Sequence, residues 1–252
     1  MNYLKTIVRV TEYAALQPDY PPGTLVLTDS QAVIDECVKR GQPVAAFEHD
    51  GIEGLQCDNI VLDVDEVDDD VFERIYRRCI GKPWDIAETK RTTIREISME
   101  TLDDLNDLVE LYSQPGMTDY MEPLFEYEEE LQYQKDYIQY IYRMYGFGMW
   151  LIHDKATGKL LGRAGIEVRE TCDRENQAEL GFCISSKHWR KGLAYEVCRK
   201  VIDMAMEDYR LTSLIARCNP ENIASRHLLE KLGFEVVGYE DDGDCRYFME
   251  LD

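Results

Sequence analysis

A chain of 252 residues with 44% hydrophobic content is long enough for one large or two small domains and apolar enough to fill their cores. Its 28 Lys and Arg face 50 Asp and Glu, a formal net charge of -22, which argues against nucleic acid as a partner because neutralising phosphates takes clustered cations. No apolar run is long enough to span a bilayer, the start lacks an apolar leader with a cleavage site, and the eight cysteines never form CxxC. The expectation is a cytoplasmic protein with no membrane segment and no metal site, its cysteines reduced and acting as small hydrophobes.

Residues 24–27 (TLVL) read as a buried strand. Residues 31–40 follow with helical spacing at Val33, Ile34, Cys37 and Val38, and stop at Gly41. Strands are expected at 43–47 (PVAAF) and 59–62 (NIVL), then a helix at 70–80 with Val71, Ile75 and Cys79 on one side. This alternation predicts a small three-stranded parallel α/β domain over residues 1–85. Two short motifs here carry less than they suggest. Asp63-Val64-Asp65-Glu66-Val67 resembles a phosphatase nucleophile motif, but too little chain follows for its partners, so an acidic strand end is expected. His49-Asp50-Gly51 is foremost a turn.

Residues 82–91 are polar with one proline and read as a linker. Beyond it, a strand is expected at 93–97, a helix at 102–112 and a Tyr-rich helix at 128–145. Strands follow at 149–153, 160–168 and 177–184, then a helix at 193–208 with Ala194, Val197, Cys198, Val201, Ile202 and Ala205 at helical spacing. A short strand at 214–216, a helix at 222–232 stopped by Gly233, and strands near 235–237 and 246–250 complete the series.

The most informative stretch is 177–194, QAELGFCISSKHWRKGLA. A strand passes through Trp189-Arg190-Lys191-Gly192-Leu193-Ala194 into a long helix. The first amides of a helix lack intrahelical acceptors, and the dipole adds positive potential, so a diphosphate suits this position. Small residues at 192 and 194 permit close approach. Lys187, Arg190, Lys191, Arg199 and Lys200 form a basic island with one acid, Glu196, inside an acidic chain. In Asn219-Pro220-Glu221-Asn222-Ile223-Ala224-Ser225, Asn219 is placed to cap the next helix with Pro220 at its first position. Asn222 and Ser225, three apart, share a face, where Asn222 serves either the cap or a ligand.

The element order, the HWRKGLA turn and NPENIASRHLLEKLGF together resemble the GNAT family of N-acetyltransferases over residues 92–252. The AELGFCI strand is most similar to the branch that acetylates ribosomal-protein N-termini and its small-molecule relatives. The resemblance implies a mixed, mostly antiparallel sheet flanked by helices, and acetyl-CoA as co-substrate. It implies that Arg190, Lys191, Gly192, Leu193 and Ala194 hold the diphosphate, that the backbone at Cys183 and Ile184 pairs with the pantetheine arm, and that Asn222 and Ser225 contact the coenzyme. The family's turn is (Q/R)xxGx(G/A), and Trp189 occupies its first position here.

Direct transfer to a primary amine needs a base, for which Glu179 is the candidate, with Glu167 as a weaker second. Alternation puts Glu179, Gly181 and Cys183 on one face of the strand and Ala178, Leu180, Phe182 and Ile184 on the other. Many relatives carry a tyrosine acid where this chain has Leu229, so the proton donor falls to Ser225, Tyr195 or water. His227 is expected to be exposed and inert. The acceptor is expected to be an amine-bearing small molecule or a protein N-terminus, in a pocket partly lined by the Tyr-rich helix. A homodimer is compatible with this reading. The missing tyrosine leaves a second possibility, a non-catalytic acyl-CoA sensor or partner-binding module.

Overall fold

The computed structural model describes residues 2–49, 51–62, 64 and 67–251, so three residues of the acidic motif (Asp63, Asp65 and Glu66) and Asp50 lie outside the described residues. The chain divides into two compact units, Met1–Trp84 and Asp85–Asp252.

The first unit carries four parallel strands rather than three, β1 (Thr6–Arg9), β2 (Thr24–Thr28), β3 (Val44–Phe47) and β4 (Ile60–Val61), ordered β1-β2-β3-β4. β1 escapes the sequence pattern because it is an edge strand whose residues are mostly exposed. β2 and β3 are buried along their whole length, as expected for parallel strands covered on both faces. α1 (Gln31–Arg40) packs Val33, Ile34 and Cys37 against Val26 and Ala46, and ends at Gly41 in the left-handed conformation. α2 (Asp69–Cys79) packs Phe72 and Tyr76 against Leu25, Leu27, Ala45 and Phe47. Glu73 of α2 accepts the amides of Tyr3 (2.9 Å) and Leu4 (2.7 Å) and the Nε–H of Arg77 (2.8 Å), tying the start of the chain down.

The second unit is built on eight strands: β5 (Asp85–Glu88), β6 (Thr92–Arg95), β7 (Met149–Asp154), β8 (Leu160–Glu167), β9 (Gln177–Ile184), β10 (Ser213–Cys218), β11 (Glu235–Tyr239) and β12 (Cys245–Glu250). Their order is β11-β12-β10-β9-β8-β7-β6-β5, antiparallel except for the β9–β10 pair. The segment expected to be a linker is partly β5, a polar edge strand hairpinned to β6.

α6 (Leu193–Glu207) lays Val197, Cys198, Val201, Ile202 and Ala205 into the core with Ala164, Ile166, Ala178 and Leu180. α3 (Asp103–Tyr112) contributes Leu108 and Leu111 to this core. The expected helix over 128–145 is interrupted: α4 (Tyr127–Asp136) runs into a π-helical turn (Tyr137–Ile141) and then α5 (Tyr142–Tyr145). Such turns widen a helix locally and are frequent at functional sites. α7 (Ile223–Leu232) buries Leu229 and Leu232 and stops at Gly233, again left-handed. No helix among the described residues is long and apolar enough to cross a membrane.

Candidate active site

The site begins with a break in the sheet. β10 pairs with β9 only from Ser213↔Gln177 to Ile215↔Glu179, whereas it stays paired with β12 as far as Cys218↔Cys245. Beyond Glu179 the parallel pairing stops, and the remaining length of β9 loses its neighbour on that side.

The Ser185 N–H donates to the Leu161 carbonyl at 2.7 Å, which sets the parity of the β8–β9 ladder. Hydrogen-bonded and non-hydrogen-bonded pairs alternate in an antiparallel ladder. The peptide groups of Glu179, Gly181 and Cys183 therefore point to β8, and those of Leu180, Phe182 and Ile184 point into the break. The Cys183 peptide groups are thus taken up by β8, and those facing the break belong to Phe182 and Ile184. Cys183 faces Arg163 in the ladder, and its enclosed thiol, raised in pKa foremost by burial, neighbours Tyr112. The Ile184 carbonyl accepts the Trp189 indole N–H at 2.6 Å, which leaves the Ile184 N–H to the break.

At the far end of β9 lies the turn into α6. Arg190 (φ 60°) and Gly192 (φ 72°) are both left-handed, a conformation that costs a non-glycine residue roughly 1–2 kcal/mol. Among the described residues, no backbone acceptor meets the amides of Arg190, Lys191 or Gly192, and those of Leu193, Ala194 and Tyr195 open the helix without intrahelical acceptors. The cation that organises this turn was not legible in the sequence. Arg91, between β5 and β6, donates from Nη1 to the Lys191 carbonyl (2.8 Å) and from Nε to Glu196 (2.7 Å). Glu196 also accepts the Thr89 hydroxyl (2.6 Å) and the Arg91 amide (2.9 Å). Burial raises its pKa, yet these hydrogen bonds hold it below the ordinary carboxylate value. The one acid of the basic island is thus occupied by protein partners. Trp189 closes the turn from the other side, its ring so close to Gly116 that a Cβ there would lie 2.9 Å from it.

Across the break stands α7. Its cap is Asn222, whose Oδ1 accepts the Ser225 N–H at 3.1 Å; Asn219 instead accepts the Glu221 N–H at 2.9 Å, and the helix starts three residues later than Pro220. Capping uses the oxygen of Asn222 and leaves its Nδ2 amide outside the cap. Ser225 lies beside the Cys218 thiol. Continuing the β9–β10 register from Ile215↔Glu179 brings Cys218 level with Phe182, so Ser225 borders the break. Leu229, one turn on, is fully buried and supplies no hydroxyl. His227 is exposed.

Glu179 is the last β9 residue paired to β10, half-buried, and its Oε2 accepts the Thr171 hydroxyl at 2.9 Å. Its face of the sheet carries three successive cross-strand pairs, Arg163↔Cys183, Gly165↔Gly181 and Glu167↔Glu179. The glycine pair admits close neighbours: Met149 Sδ stands 3.0 Å from where a Gly181 Cβ would be, and the Gly148 carbonyl takes the place of a Gly165 Cβ. Glu167 accepts the Tyr137 hydroxyl at 2.5 Å and is ion-paired with Arg169. Tyr137 in turn accepts the Met149 N–H at 2.7 Å, and burial, then Glu167, raises its pKa well above the usual phenol value. A cavity of about 290 Å³ opens beside Glu167 under the π-helical turn. Tyr195 stands elsewhere: it is in the first turn of α6, with the Lys231 ammonium 4.4 Å from its ring centroid. Roughly 17 Å of strand separates Ile184, at that end, from Glu179, at about 3.3 Å per residue.

A family model described as an acetyltransferase (GNAT) domain matches residues 91–235. An uncharacterized N-acetyltransferase, p20, of Bacillus licheniformis is 31% identical over 156 residues, spanning 60% of this chain and 82% of its own length. Two solved structures share the fold of the second unit. Ribosomal-protein-S5-alanine acetyltransferase from Vibrio fischeri is 17% identical with a TM-score of 0.55, covering 66% of this chain and 96% of its own. Spermidine N-acetyltransferase from Vibrio cholerae, in complex with CoA and spermine, is 20% identical with a TM-score of 0.52, covering 63% and 95%.

Proposed function

This chain belongs to the GNAT family and is an acetyl-CoA-dependent N-acetyltransferase, and from that premise we propose how its own residues carry the transfer. The observation that carries the proposal is the break after Glu179, with unpaired backbone along one edge of β9 and an open helix N-terminus at its far end.

The amides of Gly192, Leu193 and Ala194 hold the coenzyme diphosphate, and Arg190 and Lys191 add positive charge. The peptide groups of Phe182 and the Ile184 N–H pair with the pantetheine arm as a missing strand would. Asn222, through Nδ2, and Ser225 touch the arm from the α7 side. This places the thioester near Leu180, beside Glu179.

Glu179 takes a proton from the acceptor ammonium or from the attacking amine, directly or through one water. The amine nitrogen then forms its bond to the acetyl carbonyl carbon, and the carbon–sulfur bond breaks. The departing thiolate receives a proton from Ser225 or from water, while Tyr195, at the diphosphate end, serves the coenzyme rather than this step. A positioned base contributes roughly 10²–10⁴-fold.

The acceptor is a primary amine on a small molecule or at a protein N-terminus. We assign the transferase to residues 92–252 and no step of the transfer to the first unit, whose role is separate. Eight free cysteines fit a reducing cytoplasm. Calorimetry with acetyl-CoA and thiol release with a panel of amines test the proposal. Coenzyme binding with amine-dependent release is the expected result; no binding at millimolar acetyl-CoA overturns it.

A further inference from the structure

The cavity beside Glu167 is built from a small set of residue types. Tyr133, Tyr137, Tyr140 and Tyr145 line it, with carboxylates from Asp136 and Glu167. Tyr137, Tyr140 and Ile141 of the π-helical turn, at i, i+3 and i+4, lie along one opening. The phenols of buried Tyr137 and of Tyr133, which is 41% exposed, are both raised in pKa, by desolvation first and Glu167 next, so these rings are neutral at physiological pH. Neutral tyrosine rings present negative π faces and attract cations.

A cation already lies in this place. Arg169 lines the cavity and pairs with Glu167, while its side chain remains half exposed. The cavity's formal charge is negative even with Arg169 counted, since Asp136 and Glu167 are two acids against one base. Asp136 has one partner among the described residues, the neutral Gln132 amide at 2.8 Å. The chain's net charge of -22 favours approach of a cation over longer distances.

Position supplies the link to the reaction. Glu167 and Glu179 are direct cross-strand partners in a hydrogen-bonded pair, which separates their Cα atoms by about 5.5 Å. The cavity therefore begins one side chain from the proposed base and extends away from it toward Asp136. Its 290 Å³ lies at the small end of ligand pockets and holds on the order of ten heavy atoms at about 30 Å³ each. That suits an alkyl-ammonium chain and not a folded partner.

We propose that this cavity is an acceptor subsite for a second positive charge, so that the substrate is a small aliphatic amine with two or more ammonium groups. One nitrogen meets Glu179 while another lies among the tyrosines between Glu167 and Asp136, in place of the Arg169 guanidinium. The inference rests on the transferase reading of the same site, and binding separates the two.

The test is calorimetric titration of the full chain, saturated with CoA, with 1,5-diaminopentane, spermidine and pentylamine. At least one polycation is expected to bind tenfold or more tightly than pentylamine. Tyr140→Ala and Asp136→Asn are expected to bring that ratio close to one; Tyr140 is exposed and Asp136 half-buried, and circular dichroism checks the folding of both variants. Equal affinity for the monoamine and both polycations, no binding of any of the three, or a ratio unmoved by both variants overturns the subsite. Failure of CoA itself to bind overturns the transferase reading instead. Thiol release from acetyl-CoA provides the second readout, expected to show the same preference in kcat/KM.

Discussion

The two sheets of this chain solve the same packing problem with opposite consequences. In the first unit, β2 and β3 are flanked on both sides and buried along their length, so their backbone groups are consumed by the ladder. In the second, β9 is paired along one edge for six residues and along the other for three. Complete pairing yields a stable layer with nothing left to offer a ligand. Interrupted pairing leaves peptide groups that must be satisfied by something else. At the interruption stand a carboxylate where it starts and a helix N-terminus where it ends.

The sharpest way to break this contrast is at the carboxylate. Glu179→Gln is expected to lower kcat by about 10²–10³-fold while acetyl-CoA affinity in calorimetry stays within about twofold. A variant with parental turnover removes Glu179 from the mechanism. At the other end of the break, Gly192→Val puts a β-branched residue at φ 72° and closes the approach to the amides. Its acetyl-CoA Kd is expected to rise about a hundredfold. Arg91→Ala frees Glu196 to face the diphosphate and loosens the Lys191 carbonyl, and a Kd about tenfold weaker is expected, with recovery in the double variant carrying Glu196→Gln. An affinity unchanged by Arg91→Ala means the hairpin does not support the turn.

The buried strands of the first unit are expected to behave otherwise. Leu25 is completely buried in the first unit, and Leu25→Ala is expected to cost about 2–5 kcal/mol there without changing kcat at temperatures where that unit remains folded. A matched loss of turnover couples the units and refutes the separation. The smallest effect concerns pH. His153 on β7 is held neutral by burial and then by Arg95, whose guanidinium lies 3.2 Å from Nε2, with a pKa pushed down to about 4. The unfolded chain binds a proton near pH 6.5 that the folded one refuses. Stability from this residue is therefore complete above about pH 6.5 and declines as pH falls toward 4, by at most about 1.4 kcal/mol per pH unit. His153→Phe is expected to flatten that part of a urea-unfolding profile.

Much of this fold is legible in the sequence. Helical spacing in 31–40 and 193–208, and the apolar core strands, reflect burial on one face or two, and burial writes itself into residue type. β1 and β5 left little mark because edge strands are half-solvated and their side chains need not be apolar. The same limit hid the π-helical turn, since a one-residue change in helical period is invisible among five tyrosines.

At the site, strand alternation already separated Glu179 from Leu180 and Phe182. Which parity of peptide groups meets the break depends on the pairing with β8, and no local signal fixes that. Arg91 lies 100 residues from the carbonyl it holds, so its role is tertiary and absent from any motif. Asn222 resolved into a cap that uses its oxygen and leaves its amide nitrogen outside the cap, a combination that spacing alone treats as alternatives.

The central claim is that the unpaired edge of β9 is the coenzyme's place. The most direct measurement is a crystal structure of the chain with acetyl-CoA. The account predicts diphosphate oxygens within about 3.2 Å of the Gly192, Leu193 and Ala194 amides, a pantetheine arm hydrogen-bonded to Phe182 and Ile184, and the thioester beside Glu179. A coenzyme bound elsewhere, or a break filled by protein side chains while the ligand is in solution at saturating concentration, contradicts it.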